Sequence, residues 1–539
     1  MPRHDQGPRN IVLVGFMGAG KSTVGRLLAN ALGMSLCDTD AQIVERTGLG
    51  IPQIFAEFGE PFFRRVEATV VQHAARASGQ VIATGGGALA NAESLCSLLQ
   101  GNLVVWLTGP VDMLLVRARR QGDRPLLDRS AQSGLKKLYA ARVEQYAEAH
   151  LMVGADAPAE SIAETIQHYW ELACQGGVAV RSVPVRCGNQ SYAVHVGSNL
   201  LQRCHEFVTS SPARVLLITD SNVAPLYSGR VLASLGQGGW DVERVVFPAG
   251  EEHKTLQTLE SLYEACVRAG LSRDGLVVAL GGGVTGDVAG LVAATYMRGV
   301  PLVQIPTTLL AQVDASVGGK VAVNLRQGKN LVGAFYQPQA VIADTTVLCS
   351  LPQRELLSGL AEVIKHGVMA DESLLRFTEE HLPDILTRDP EVLGHCVYCS
   401  CVIKGAVVGI DEKETGKREV LNFGHTVAHA LETVTAYRTY THGAAVAVGM
   451  VTAGRLSCLA GGWSAADLDR LLAVLRRAGL PVSAPRVSID ELLAAVERDK
   501  KVRAQQLRMV LSPRLGSAEA GVPVTRQQLR EALQWQQKL

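Results

Sequence analysis

IVLVGFMGAGKSTVGRLLANALG, residues 11–33, decides how the first third of the chain folds. IVLV reads as a short buried strand, GFMGAGKST (15–23) as a glycine-rich loop, and STVGRLLANALG as a helix by its apolar period. Strand, loop and helix in this order are the context that G-x-x-x-x-G-K-[ST] requires. Gly15, Gly18, Ala19 and Gly20 would wrap phosphates with backbone N–H groups, helped by the partial positive charge of the helix start. Lys21 would reach the outer phosphates and Ser22 would hold Mg²⁺, with Thr23 beside it. ATP with Mg²⁺ is the expected ligand. The downstream runs VIATGG (81–86) and LVVWLTG (103–109) read as further strands between helical patterns, the signature of a parallel sheet.

The bulk numbers narrow the class. A chain of 539 residues predicts two to four domains. A net charge of +1 argues against a nucleic-acid partner. The start, MPRHDQGPRN, has no apolar core of a signal peptide. The longest apolar stretches are glycine-rich and broken by Asp287, so no membrane partner is expected. Eleven scattered cysteines fit reduced thiols and a cytoplasmic location. Cys396, Cys399 and Cys401 lie close together in HCVYCSC, which admits a zinc or redox reading. No second pair follows at zinc-site spacing, so buried, inert thiols are expected.

The alternation of strand and helix signals resumes after ACQGGVAVRSVPVRCGNQ (173–190), a candidate linker or first hairpin. RVLLITD (214–220), ERVVFPAG (243–250), LVVALGGG (276–283) and PLVQIPTT (301–308) read as strands. From about 346 onward Leu/Ala/Val/Glu/Arg periodicity dominates. The expected fold class is α/β. A phosphate-loop domain with a parallel sheet spans 1–175 and a linker 176–190. A Rossmann-like NAD-binding domain spans 185–345 and an all-α metal- and substrate-binding domain 346–539. The composition break predicts that residues 1–175 and 180–539 fold and act when separated.

The acceptor of the first site needs its own argument. CDTD (37–40) places Asp38 to support Mg²⁺ and Asp40 to accept hydroxyl hydrogen bonds. FFRRVE (62–67) and GDRPLL (122–127) offer arginines, and TGGG (84–87) a close backbone approach. Singly, each reads as a salt bridge, a turn or a solvated face. In order and spacing they together resemble shikimate kinase across residues ~8–170. The resemblance implies that Asp40, Arg64, Gly86 and Arg142 contact shikimate. Arg64 and Arg142 would clamp its carboxylate, for which the guanidinium fork is suited. Asp40 would orient the attacked hydroxyl, and Arg124 would offset charge over ATP during transfer. A motor or switch NTPase competes, but its strand of an apolar run ending in Asp is not evident.

The second site begins at LVVALGGGVTGDVAG (276–290), where glycines after a buried strand suit a dinucleotide pyrophosphate. Alone this signal is weak. PAGEEHKTL (248–256), IPTTLL (305–310), VDASVGGKVAVN (313–324), GLAEVIKHG (359–367), NFGHTVAHALE (422–432) and THGAAVAVGM (441–450) strengthen it. This string resembles 3-dehydroquinate synthase from about 185 to 515. A catalytic zinc wants three protein ligands and an open position. Glu362, His425 and His442, on separate helical segments, could converge to hold Zn²⁺ or Co²⁺. Lys320, Lys329, Lys365, Arg418 and the Lys500–Lys501 pair suggest a substrate bearing phosphate and carboxylate.

The resemblance implies 3-deoxy-D-arabino-heptulosonate 7-phosphate as substrate and NAD⁺ as a regenerated cofactor. Transient oxidation of a ring hydroxyl acidifies a neighbouring C–H, and phosphate leaves. It implies that Asp220 and Glu251 hold ribose hydroxyls, with Lys254 nearby. Gly283, Val284, Thr285, Gly286, Asp287, Thr307 and Thr308 would frame the pyrophosphate and nicotinamide, with Lys320 and Lys329 also at the cofactor. Thr285 stands where the family often has Ile. Arg298, Asp314, Asn330, Arg418 and Asn422 would bind substrate, Lys320, Lys365 and His429 would serve catalysis, and one of Lys500 and Lys501 would join them.

His425 and His429 share a helix face, so geometry alone lets both reach one ion. With three ligands already counted, His429 is expected to face the substrate and steer protons; the bland alternative is a histidine that only orients His425. Metal-dependent polyol dehydrogenases share the glycine turn and metal but need no set of lysines. A non-catalytic scaffold is disfavoured by intact Lys21, Ser22, Asp38 and Asp40. A homodimer through the second half is the partner expected besides the small-molecule substrates.

Overall fold

Continuous aliphatic runs make the central strands of two parallel sheets, because a strand covered on both faces must be apolar on both. The computed structural model describes residues 8–120, 132–146, 149, 151–174, 180–187, 190–414, 416–484, 486–500 and 507–539. The first sheet contains β1 (Ile11–Val14), β2 (Ser35–Asp38), β3 (Gln80–Ala83), β4 (Leu103–Thr108) and β5 (Leu151–Gly154). Its order is β2-β3-β1-β4-β5, all parallel. β1 and β4 are fully buried along their length.

The second sheet has seven strands: β6 (Arg181–Cys187), β7 (Gln190–Gly197), β8 (Arg214–Asp220), β9 (Asp241–Phe247), β10 (Leu276–Gly281), β11 (Leu302–Pro306) and β14 (Ala340–Asp344). The order is β6-β7-β14-β11-β10-β8-β9, parallel except for the β6/β7 pair. β12 (Lys320–Leu325) and β13 (Gly328–Phe335) form a hairpin that lies along the helix Gly283–Thr295. Helices then dominate from Gln353 onward.

Two boundaries are corrected. The expected linker over 176–190 is strand β6 from Arg181, on the hairpin reading of that stretch. β6 is an edge strand whose residues alternate between buried and exposed, so no apolar run announces it. The region expected to be all-α also carries a second hairpin, β15 (Arg508–Arg514) with β16 (Ser517–Pro523).

Among the described residues, the helix Pro390–Ile410 is long and apolar enough to span a membrane. In the fold its buried stripe, including Leu393, Val397 and Cys401, packs beside β6. Burial pushes the Cys396 and Cys401 thiols up to about 12, and Cys399 rests 3.5 Å from His395 Nε2. That packing suits inert thiols.

The two halves share a core. β5 lies against the Thr345–Ser350 turn that follows β14. Tyr169, Ala155, Cys349 and Arg388 are buried between the halves. The Cys349 thiol lies 3.7 Å from the Tyr169 hydroxyl, Thr165 donates to the Thr387 carbonyl at 2.9 Å, and the Arg230 guanidinium donates to the Ala149 carbonyl. A composition break therefore does not mark a loose tether. Cutting there would expose apolar surface and strip buried polar groups of their partners.

Candidate active sites

In the first half, the phosphate loop is shaped by close approach. Gly15, Gly18 and Gly20 have φ of 142°, 79° and 86°, a region open to glycine. A Cβ on Gly18 would lie 2.1 Å from the Leu114 carbonyl oxygen. The Lys21 ammonium donates to the carbonyls of Gly15 and Phe16 at 2.7 and 3.1 Å, which holds it over the loop. Ser22 donates to Asp38 at 3.0 Å, so the two expected Mg²⁺ supports are neighbours. Ala19 is buried in the loop, while Thr23 is exposed.

The acceptor residues meet around the 84–87 loop. Arg142 donates to the Gly86 carbonyl at 2.7 Å. Arg64 pairs with Glu60 at 2.9 Å and Glu67 at 2.7 Å. A Cβ on Gly85 would lie 2.7 Å from Asp40 Oδ1, and one on Gly87 2.4 Å from Arg64 Nη1. Asp40, Arg64, Gly86 and Arg142 are thus brought together. Sequence reading missed Glu67 and Tyr146. Burial raises the Glu67 carboxyl against the pull of Arg64, and the Tyr146 hydroxyl donates to the Gly86 carbonyl at 2.5 Å. Arg124 lies outside the described residues.

In the second half, the strand ends of the seven-stranded sheet and the C-terminal helices enclose one cavity of about 1790 Å³. The helix Gly283–Thr295 points its N-terminus into it. A Cβ on Gly282 would lie 3.1 Å from Thr308 Cγ2, so the backbone approaches closely there. The buried Thr307 hydroxyl has no hydrogen-bond partner among the described residues. An orphaned hydroxyl beside a helix start fits the pyrophosphate of a dinucleotide. Asp220 accepts from Thr285 at 2.8 Å, joining the end of β8 to that helix. Asp287 lies 2.5 Å from Lys254, which also donates to Asn330. Burial pushes the Asp287 carboxyl up to about 6 against the pull of Lys254.

Glu251, Val284 and Lys329 also line the cavity, and the Lys329 ammonium sits 4.3 Å over the Tyr437 ring. Two residues expected at the site are not among those lining this cavity. Gly286 faces Gln304 of β11, where a Cβ would lie 2.8 Å from Oε1, so it serves helix–strand packing. Arg298 follows the helix in a left-handed turn (φ 67°) and does not line the cavity.

At the other end of the cavity, Glu362, His425 and His442 bring their ligand atoms within 4.8 Å of one another. Glu362 Oε1 lies 3.8 Å from His425 Nε2 and 3.5 Å from His442 Nε2. Four-coordinate zinc with bonds of ~2.0–2.1 Å places its ligand atoms about 3.4 Å apart. Glu362 is fully buried, and its Oε1 faces both imidazoles. Lys365 lies 2.5 Å from Oε2. A buried anion with two imidazole nitrogens aimed at it suits a divalent cation.

Burial, followed by Lys365, holds the His425 imidazole far below the ordinary histidine range, which keeps it neutral as a ligand must be. For His442, burial pulls down, but Glu362 and Glu432 win and hold it up to about 10. Metal binding would therefore release a proton there. Glu432, 3.2 Å from His442 Nδ1, was missed in the sequence; its place seven residues after His425, on the same helix face, was the available signal.

His429 lies outside the trio. Its ring is 5.5 Å from that of His425, edge to face, and it lines the cavity. Asp314 is held by Lys404, Lys320 by Glu414, and Arg418 donates to the Glu412 carbonyl at 2.8 Å. Burial raises Asp314, but Lys404 brings its carboxyl net well below the usual range. Asn422 Nδ2 is 3.5 Å from Glu414. Lys404, Glu414 and the buried His366, whose ring burial and Lys365 push down to about 3, were not singled out in the sequence. Lys501 lies outside the described residues, and Lys500 ends the helix Ile489–Lys500.

The shikimate kinase family model matches residues 17–171. The N-terminal and C-terminal models of 3-dehydroquinate synthase match 244–358 and 359–502. A 3-dehydroquinate synthase from Caldanaerobacter subterraneus subsp. tengcongensis is 48% identical over 339 residues, covering 62% of this chain and 95% of the relative. The structure of 2-epi-5-epi-valiolone synthase from Streptomyces hygroscopicus subsp. jinggangensis, with NAD⁺ and Zn²⁺ bound, is 30% identical with a TM-score of 0.61, covering 65% of this chain and 98% of that one. Shikimate kinase from Acinetobacter baumannii in complex with shikimate is 39% identical with a TM-score of 0.29, covering 30% of this chain and 92% of that one.

A phosphate-cradling lobe packed on a lobe with a dinucleotide crevice and a three-ligand metal trio defines a two-site, nucleotide-using enzyme. The chain belongs to two families: it is a shikimate kinase joined to a 3-dehydroquinate synthase.

Proposed function

We propose that the first site phosphorylates shikimate from ATP, giving shikimate 3-phosphate. The second site converts 3-deoxy-D-arabino-heptulosonate 7-phosphate into 3-dehydroquinate and phosphate. Both are steps of the shikimate pathway, and they are not consecutive, so no direct hand-over between the sites is required. The observation that carries the reading is the single cavity joining the Gly282–Gly283 helix start to the Glu362/His425/His442 trio, with lysines between them.

Glu362, His425 and His442 would hold the divalent ion, which when bound supplies Lewis-acid polarisation of an oxygen. The helix start, Asp220, Glu251, Thr307 and Thr308 would hold NAD⁺, which when bound supplies reversible hydride acceptance. Lys254 and Asp287 keep the nearby polar network fixed. Lys320, Lys365 and Arg418 would supply cationic groups toward an anionic substrate, and His429 would take and return a proton during elimination. In the kinase lobe, Lys21 offsets the charge on the transferring phosphoryl group, Ser22 and Asp38 support Mg²⁺, and Arg64 and Arg142 take the shikimate carboxylate.

The reading includes work in the cytoplasm, supported by eleven free cysteines. It also includes a homodimer through the synthase half, supported by exposed Val402 and Ile410 on the helix beside edge strand β6. The test is phosphate release from heptulosonate phosphate by the metal-loaded chain with catalytic NAD⁺. Release without net NADH is expected; stoichiometric NADH from a polyol would replace the synthase reading with a dehydrogenase.

A further inference from the structure

The synthase cavity does not end within the synthase half. Its volume of about 1790 Å³ exceeds the ~300–1,000 Å³ of a single small-ligand site. It also takes in Asp220 and Asn222 at the end of β8, Thr108, Gly109 and Pro110 at the end of β4, and Gly154 and Asp156 at the end of β5. Those turns belong to the kinase half. They are held there by the buried contact of β5 with the Thr345–Ser350 turn, whose Val347 and Ser350 face the same space.

A dinucleotide anchored by its pyrophosphate at Gly282–Gly283 must send its nicotinamide toward the metal trio. Its other half then has to run the opposite way. The arm on that side starts at the polar Asp220 and Asn222, suited to ribose. Leu226, Val347 and Leu351 also line the cavity, apolar groups suited to the flat faces of a purine. We propose that the kinase half walls the dinucleotide site of the synthase half, with the turns 108–110 and 154–156 closing the arm that receives the adenosine end of NAD⁺. This rests on the proposed use of NAD⁺.

The same turns stand at the C-terminal edge of the kinase sheet, where β4 is the neighbour of β1 and its phosphate loop. In parallel sheets nucleotides bind at that edge. The wall therefore stands next to the kinase's own nucleotide edge, and it is built by the fusion itself.

The test is calorimetric titration of the metal-loaded full chain with NAD⁺ and with nicotinamide mononucleotide, which lacks the adenosine half. Asp156→Trp places a bulky ring into the arm from the kinase side, and Pro110→Trp does so from the neighbouring turn should the first variant fail to fold. Leu226→Trp obstructs the arm from the synthase side. The kinase-side variants should weaken NAD⁺ about tenfold or more, the range expected for losing the stacking of one base, and leave the mononucleotide unchanged. Unchanged NAD⁺ affinity in both kinase-side variants, with selective loss in Leu226→Trp, would overturn the proposal while leaving NAD⁺ in the arm. Equal losses for both ligands would also overturn it, because the damage would then lie outside the arm. Absence of NAD⁺ binding by the unaltered chain would instead sink the reading on which the proposal rests.

Discussion

His425 and His429 stand one turn apart on the helix His425–Val434, yet their surroundings differ. His425 Nε2 lies 3.8 Å from Glu362, while His429 lines the cavity outside the trio. His425→Ala should lose the metal. His429→Ala should keep near-stoichiometric metal and lose about 10²–10⁴ of turnover, the usual worth of a positioned acid–base group. Atomic emission on both purified variants reads the first effect; equal metal loss would make His429 a ligand. Asp287 offers a pH test. Burial raises its folded pKa to about 6, above the ordinary aspartate value of about 3.9, so between those values the folded chain binds more protons than the unfolded one. Stability from this group is therefore lost as pH rises from about 4 to 6. Asp287→Asn should flatten that slope in melting temperature against pH, and a parallel slope in the variant would refute the shift.

At the scale of elements, the phosphate loop is the most exacting. Gly18→Ala puts a Cβ against the Leu114 carbonyl at 2.1 Å, in a backbone region that disfavours side chains. It should abolish ATP binding by the kinase while heptulosonate turnover persists, read by separate assays on one preparation. The loop and the central strands were legible because local order carries them: glycines at fixed spacing and runs such as LVVALG, buried along their whole length. β6 was legible only as the hairpin alternative to a linker, since an edge strand alternates, and β15 was not legible, since a late hairpin interrupts a helical stretch. The trio was reached by counting ligand types suited to zinc on separate helical segments of the stretch that resembles 3-dehydroquinate synthase. Lys404 for Asp314 and Glu414 for Lys320 could not be, because those partners lie 90 and 94 residues away and only the fold pairs them.

For the whole molecule, the buried seam around Tyr169, Cys349 and Arg388 decides how the halves behave. A shared core predicts one cooperative thermal transition in calorimetry. ADP, at about 100 times its dissociation constant, should stabilise the folded chain by ~2.7 kcal/mol and raise the temperature at which synthase activity is lost. Two separate transitions, with only the kinase one shifted, would show that the seam couples nothing. Tyr169→Ala removes an almost fully buried ring and should cost about 3–5 kcal/mol, felt in both activities.

The seam also has a genetic consequence. An allele dead at Lys21 and an allele dead at His425 leave opposite halves intact, so two such copies in one cell should complement in trans. An allele broken at the seam, such as Tyr169→Ala, injures both halves of its own product and should rescue neither. Complementation would then sort mutations in this gene into three groups, and the third would trace the seam between the halves on the protein.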